Sequence, residues 1–450
     1  MYDIAVVTLP PAHFSVEARL TTSAPGTLTL SGPPSALPAG TDVEGLSVTD
    51  DHGRPLRVRR AGAAYETDAP AGAVRFRYRL DFQSGVAMSS TGAGLSEARM
   101  YAVSRSVFVA PDPAAYRATA RPYPLVSVHI ATPPGWHVVT SWGVDEGVFV
   151  PPSGDALLGA TIAAAADFRV YRDTAGGTPF VLAIRGDRHF SDSALQQVVA
   201  ASLRGAAAAL GPVPVPGVTY TSDVGSKGRT SSSLQGLASI GLVWEPDELL
   251  ERPRIHDLFH ETLHLWFGGA MDANRWWTEG VTDYFAARLE AEWSGRPDDL
   301  ADLCYQSLRN YLQIGRNTSM TMQQEQHEGV LGDNTSLLVY RKGMLAGLLL
   351  DAAIRRGTDG QASLGDVAQR ILALARSSPA HRVRDAEMRA VAVEAGGSGV
   401  ARVWRRVVDG TTLIAEAEVT DALRAVTGLP VTAPPAIAKE QKVLIGHQKP

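Results

Sequence analysis

The chain of 450 residues is long enough for about two to four domains. Its 45% hydrophobic and 20% charged content is that of ordinary globular proteins and excludes a disordered chain. A formal net charge of −5 with no long run of either sign argues against nucleic acid as the main partner, because phosphate binding needs clustered Lys and Arg.

The opening stretch, Met1 to Pro11, has no basic segment and no long apolar core. We therefore expect no signal peptide and a cytoplasmic location. Cys304 is the single cysteine, so no intrachain disulfide forms. Its expected role is that of a small buried hydrophobe. The longest apolar run, near Met344 to Ile354, is too short to span a bilayer, and no membrane partner is expected.

Residues 1–170 alternate. Phe14, Val16, Ala18 and Leu20 do so, as do Val74, Phe76, Tyr78, Leu80 and Phe82, and then Val126, Val128 and Ile130. Period two marks half-buried antiparallel strands, and breaks such as Gly32-Pro33-Pro34 separate them. The reading is an all-β, sandwich-like N-terminal domain. The pattern then changes. Phe180 to Ile184 reads as a strand, and Ser191 to Leu210 as a helix stopped by Gly211-Pro212. Tyr220 to Leu234 reads as a loop rich in Ser, Thr and Gly. From Pro253 to about Gly428 the chain is mostly helical, with Gly396-Gly397-Ser398-Gly399 as a helix-to-helix turn. We divide it into a catalytic domain over 171–292, an α-helical domain over 293–430 and a tail over 431–450. The fold class is multidomain α+β.

The central segment carries the chemistry. Ile255, Leu258, Phe259, Leu263 and Trp266 recur at helical spacing, with Pro253 in the first turn and Gly268-Gly269 as the expected end. Positions four apart share a helix face, so His260 and His264 project side by side, close enough to hold one ion. Imidazole nitrogens suit Zn²⁺. Glu261 follows the first histidine and reaches a water without being a ligand. A second helix begins near Thr278, and its Glu279 supplies the third ligand of a catalytic zinc. Asp283, four residues on, is placed to accept a hydrogen bond from a ligating imidazole.

These residues resemble the gluzincin metallopeptidases, and most of all peptidase family M61, the glycyl aminopeptidase-like family related to the M1 aminopeptidases. His260 to Trp266 and Thr278 to Ala286 resemble its two zinc segments. Val339-Tyr340-Arg341-Lys342-Gly343 resembles its Tyr-x-Lys-Gly helix. The resemblance implies a β-rich N-terminal domain, a thermolysin-like α/β catalytic domain and a helical C-terminal domain. It further implies one Zn²⁺ per chain, Glu261 as general base and Tyr340 as the donor to the tetrahedral oxyanion. The implied substrate is a peptide or small amide.

Two departures stand out. Fourteen residues separate His264 from Glu279, fewer than in the M1 relatives, so the outer wall of the site is open to reshaping. The family's amine-gripping segment has its best counterpart in Gly236-Leu237-Ala238, where Ala238 falls at the position of the family's Glu. That motivates a second reading, a zinc-dependent catalyst acting on a small non-peptide metabolite. A third, a non-catalytic pseudoenzyme, is disfavoured because His260, Glu261, His264, Glu279 and Tyr340 are all present.

Overall fold

The computed structural model describes residues 2–7, 13–22, 25–31, 43–61, 64–81, 93–95, 98–113, 126–224, 228–234, 237–315, 322, 332–378 and 381–431. Gly236, Phe82 and nearly all of the tail lie outside them. Contacts group the chain into two compact units. One comprises residues 1–208 and 212–270, the other residues 209–211 and 271–450.

In the first unit, strands dominate as far as residue 175. The strand His13–Thr22 pairs antiparallel with Gly72–Asp81. Phe14, Val16, Ala18 and Leu20 from one and Val74, Phe76, Tyr78 and Leu80 from the other are all buried. Their charged neighbours Arg75 and Arg77 are exposed, as alternation requires. Six-, four- and five-stranded sheets share one apolar core that includes Phe76, Phe108 and Phe149. The buried Tyr78 hydroxyl closes this core. It donates to Val107 O (2.8 Å) and accepts from Val109 N (2.9 Å). A short helix, Gly154–Gly159, interrupts the strands.

A second five-stranded sheet then forms. Its strands are β1 (Arg169–Ala175), β2 (Thr178–Ile184), β3 (Val218–Val224), β4 (Gly228–Leu234) and β5 (Leu237–Trp244), in the order β1-β2-β3-β5-β4. The β2–β3 and β3–β5 pairs are parallel. Helix α1 (Asp192–Leu210) is the crossover from β2 to β3, the connection a parallel pair needs. Residues 220–234 depart from the sequence reading of a loop, because β3 and β4 occupy most of them. Ser and Thr suggested a linker, yet Tyr220, Thr221, Ser222 and Asp223 are buried within β3. After β5 comes helix α2 (Arg252–Leu263), with Pro253 in its first turn.

The second unit is helical. A π-helical turn, Trp276–Val281, runs into α3 (Thr282–Ser294). Then come α4 (Asp298–Gly315), α5 (Gly332–Gly357), α6 (Leu364–Ser377), α7 (Asp385–Val403) and α8 (Glu416–Thr427). The Gly396–Gly399 stretch is the expected helix-to-helix break, centred on Gly397 at φ 69°, ψ −150°. Fully buried Asp351 ties three helices together. It accepts from Tyr284 OH, Arg355 Nε (3.1 Å) and Leu364 N (2.8 Å). Cys304 is buried, as expected, and burial pushes its thiol pKa well up. Among the described residues, no helix is long and apolar enough to cross a membrane.

Gly280 and Gly343 approach each other closely. A Cβ on Gly280 would lie 2.5 Å from Gly343 Cα and 2.5 Å from Val339 O, and both contacts are backbone. Neither helix can yield without losing its own hydrogen bonds. We expect Gly280→Ala to destabilise the protein by about 1–3 kcal/mol, the usual range for overpacking. Urea unfolding measures this, and an unchanged midpoint would mean the close approach is not required.

Candidate metal centre

Helix α2 buries Leu258, Phe259 and Leu263, which sets the face it turns away from the core. Arg254 secures its first turn. The guanidinium lies 4.6 Å over the Trp244 ring and 2.8 Å from the Glu248 carboxylate, so its charge is balanced. His260 is buried and Glu261 half-buried. The helix stops at Leu263 rather than continuing to Gly268-Gly269. His264 is its C-cap, with φ −62° and ψ −13°. Because that residue keeps right-handed helical torsions, His264 still lies on the His260 face. The two rings sit edge to face with centroids 4.6 Å apart.

The early stop has a chemical consequence. The chain turns through Leu265 and Trp266, and Gly268 takes φ +102°. This brings the Phe267 carbonyl 2.9 Å from His264 Nδ1. A carbonyl only accepts, so Nδ1 carries the proton and Nε2 keeps its lone pair for an ion.

Glu279 sits half-buried on the π-helical turn. Tyr340 projects from α5. Its hydroxyl donates to the Glu279 carboxylate and accepts from Arg275. Burial, then the negative charge of Glu279, push the Tyr340 phenol well above its ordinary value, so it remains a donor at neutral pH. Arg275 escaped the sequence reading. The available signal was its spacing, four residues before Glu279 on the same face. Asp283 is buried, and its carboxylate stands 3.8 Å from Arg341 Nη1, a pairing that spacing did not reveal. Ala238 is 1% exposed and lies in register with Val218. Of Leu237 only the backbone is described, and Gly236 lies outside the described residues.

His260, His264 and Glu279 each offer one ligand atom, and these atoms all lie within 4.8 Å of one another. Two imidazoles and one carboxylate form the donor set of a catalytic zinc with an open fourth position. One further observation bears on the fit. Glu261 Oε2 is shielded from solvent and has no hydrogen-bond partner among the described residues. A buried carboxylate oxygen in that state calls for a donor. The residues present therefore fit a zinc ion and an associated water.

No family model and no curated protein matches this sequence. Solved structures do match. An aminopeptidase N family protein from Idiomarina loihiensis superimposes with a TM-score of 0.75 at 16% identity, over 93% of this chain and 77% of the other. An M1 zinc metallopeptidase from Deinococcus radiodurans does so with a TM-score of 0.59 at 14% identity, over 92% of this chain and 94% of the other. This chain shares their fold. A variant of the Deinococcus enzyme is also among the matches, in complex with a Tyr-Ser-Ala substrate, with a TM-score of 0.58 at 14% identity over 92% of this chain and 94% of the other. Identities this low establish architecture and leave chemistry to be argued from the residues.

Two residues beyond Tyr340, Lys342 is buried and donates from Nζ to Gly410 O at 2.7 Å. Burial pulls its pKa down from 10.5 to about 8. Below pH 8 both folded and unfolded states carry the proton. Above it the folded state releases the proton first, so the unfolded state binds more protons and stability rises with pH. Buried Cys304 acts the other way once an unfolded thiol ionises near pH 9. We expect stability to rise by about 1 kcal/mol between pH 8 and 9. In Lys342→Met the rise should vanish, leaving the slight fall that Cys304 contributes. Denaturation midpoints at the two pH values give the answer, and equal slopes in both proteins would contradict the assignment.

Proposed function

We propose that this protein is a zinc-dependent hydrolase of the gluzincin type that cleaves a peptide or amide bond. The observation that carries the reading is the convergence of the His260, His264 and Glu279 ligand atoms within 4.8 Å. His260 Nε2 or Nδ1, His264 Nε2 and a Glu279 oxygen hold one Zn²⁺ per chain. When bound, the ion polarises the scissile carbonyl and lowers the pKa of water beside it.

The remaining work falls to side chains. Glu261, with its shielded and unpartnered oxygen, takes the proton from the attacking water and returns it to the leaving amine. During the reaction the Tyr340 O–H swings from the Glu279 carboxylate to the oxygen that gains negative charge, and Arg275 supports the phenol. Asp283, its charge balanced by Arg341, orients a ligating imidazole. The fold shared with the two neighbours supports a peptidase-like reaction. The Tyr-x-Lys-Gly segment at Tyr340–Gly343 supports placement nearest family M61.

One observation favours a second reading. Position 238 carries a buried methyl group, where an anchor for a substrate ammonium would need a paired carboxylate. The lack of that carboxylate favours a small non-peptide substrate over a peptide's free N-terminus. A screen of peptides and amides against small esters and epoxides separates the two.

Elemental analysis of purified protein should find about one zinc per chain, with His264→Ala losing it. Glu261→Gln should keep the metal and lose activity by at least about 10²-fold, the usual contribution of a general base. Full turnover in that variant would remove Glu261 from the mechanism. Wild-type protein that takes up no zinc would refute the metal reading.

A further inference from the structure

We infer that Tyr220, Thr262 and Ser202 form a one-way chain of buried hydroxyls that sets the rotation of α2, and with it the aim of His260 and His264. The inference deepens the zinc reading and rests on it for its functional half.

The three residues come from three elements of the first unit: β3, α2 and α1. Thr262 Oγ1 lies 3.0 Å from Tyr220 OH and 3.0 Å from Ser202 Oγ. Ser202 Oγ lies 2.9 Å from Val199 O. All three side chains are at most 1% exposed.

Each hydroxyl has one proton, so the direction follows by elimination. The Val199 carbonyl has no proton to give, so Ser202 donates there. With that proton committed, Thr262 donates to Ser202. Tyr220 is then the donor to Thr262. The sequence Tyr220 → Thr262 → Ser202 → Val199 O leaves no buried O–H idle, and each link polarises the next.

Thr262 stands two residues after His260 and two before His264. At 100° per residue that is about 200° from each, the opposite side of the helix. The ligands therefore point away from the core while Thr262 is held from behind at two points. Apolar contacts at Leu258, Phe259 and Leu263 press α2 onto its neighbours but tolerate a range of rotations. A hydrogen bond of 3.0 Å does not. Residues two positions apart do not share a face, so sequence spacing alone gives Thr262 no connection to the metal.

The roles are thus those of positioning residues, and the test reads the metal rather than turnover. Zinc affinity is measured by competition with a chromophoric chelator, and ligand geometry by the visible spectrum of the Co²⁺-loaded protein. Thr262→Val preserves shape and removes the relay. It should weaken zinc by about 10–100-fold, the usual effect of losing a supporting hydrogen bond, and shift the Co²⁺ bands. Thr262→Ser keeps the hydroxyl and should restore both. A folded Thr262→Val protein with wild-type affinity and spectrum overturns the inference.

Should Thr262→Val fail to fold, Tyr220→Phe takes its place, since it leaves only an acceptor unfilled. It should shift the Co²⁺ bands in the same direction by less, and an unshifted spectrum overturns the inference. Wild-type protein that binds no zinc refutes the metal reading instead. The relay is then judged by stability. Thr262→Val strands the Tyr220 proton and must cost more than Tyr220→Phe, and the reverse order refutes the direction assigned.

Discussion

One hydrogen bond disciplines the proposed metal centre. His264 Nδ1 faces the Phe267 carbonyl at 2.9 Å, and an imidazole bound there has a single way to present a lone pair. The bond exists only because α2 ends at Leu263. Had the helix run on to Gly268, the Phe267 carbonyl would have been directed along the axis toward a later amide, and His264 would have lost its tether. The turn after His264 is thus part of the site. Gly269 N bonds back to His264 O and Ala270 N to Leu265 O, and Gly268 takes the positive φ that this reversal needs.

The second unit meets a comparable requirement by different means. Glu279 adjoins Gly280, and Tyr340 lies three residues before Gly343. The bare contact of the two glycines draws the π-helical turn and α5 together by roughly the thickness of a side chain. The Tyr340 hydroxyl and the Glu279 carboxylate meet as a result. A single added methyl group would separate the proposed ligand from the proposed proton donor without touching either.

Much of this was legible in the sequence because it depends on period and spacing. Alternation over Val74 to Leu80 found a strand. Helical recurrence from Ile255 found α2, and the interval of four placed His260 beside His264. Other features do not repeat and left no such trace. The end of α2 was read from Gly268-Gly269, yet local turn hydrogen bonds stop it earlier. Tyr220 to Leu234 looked like a linker because Ser and Thr are common in loops. In β3 a serine of that stretch is satisfied inside the core: Ser222 Oγ accepts from Trp244 Nε1 at 2.8 Å. Composition cannot distinguish a solvated hydroxyl from one satisfied within a core.

The same point explains how a fold persists at 14–16% identity. Most core positions need only be apolar and of suitable volume, and many sequences meet that condition. Positions with a directional duty are few: the proposed ligands, the tether carbonyl's turn, the touching glycines. Thr262 belongs with them for a different reason. A helix seated on leucines and phenylalanines has several rotations of nearly equal energy. Two imidazoles proposed to share one zinc admit one. A directed hydroxyl chain behind the helix removes that degeneracy, because any other rotation leaves a buried O–H without an acceptor. The polar residues in this core therefore act less to hold α2 in place than to penalise every orientation but one.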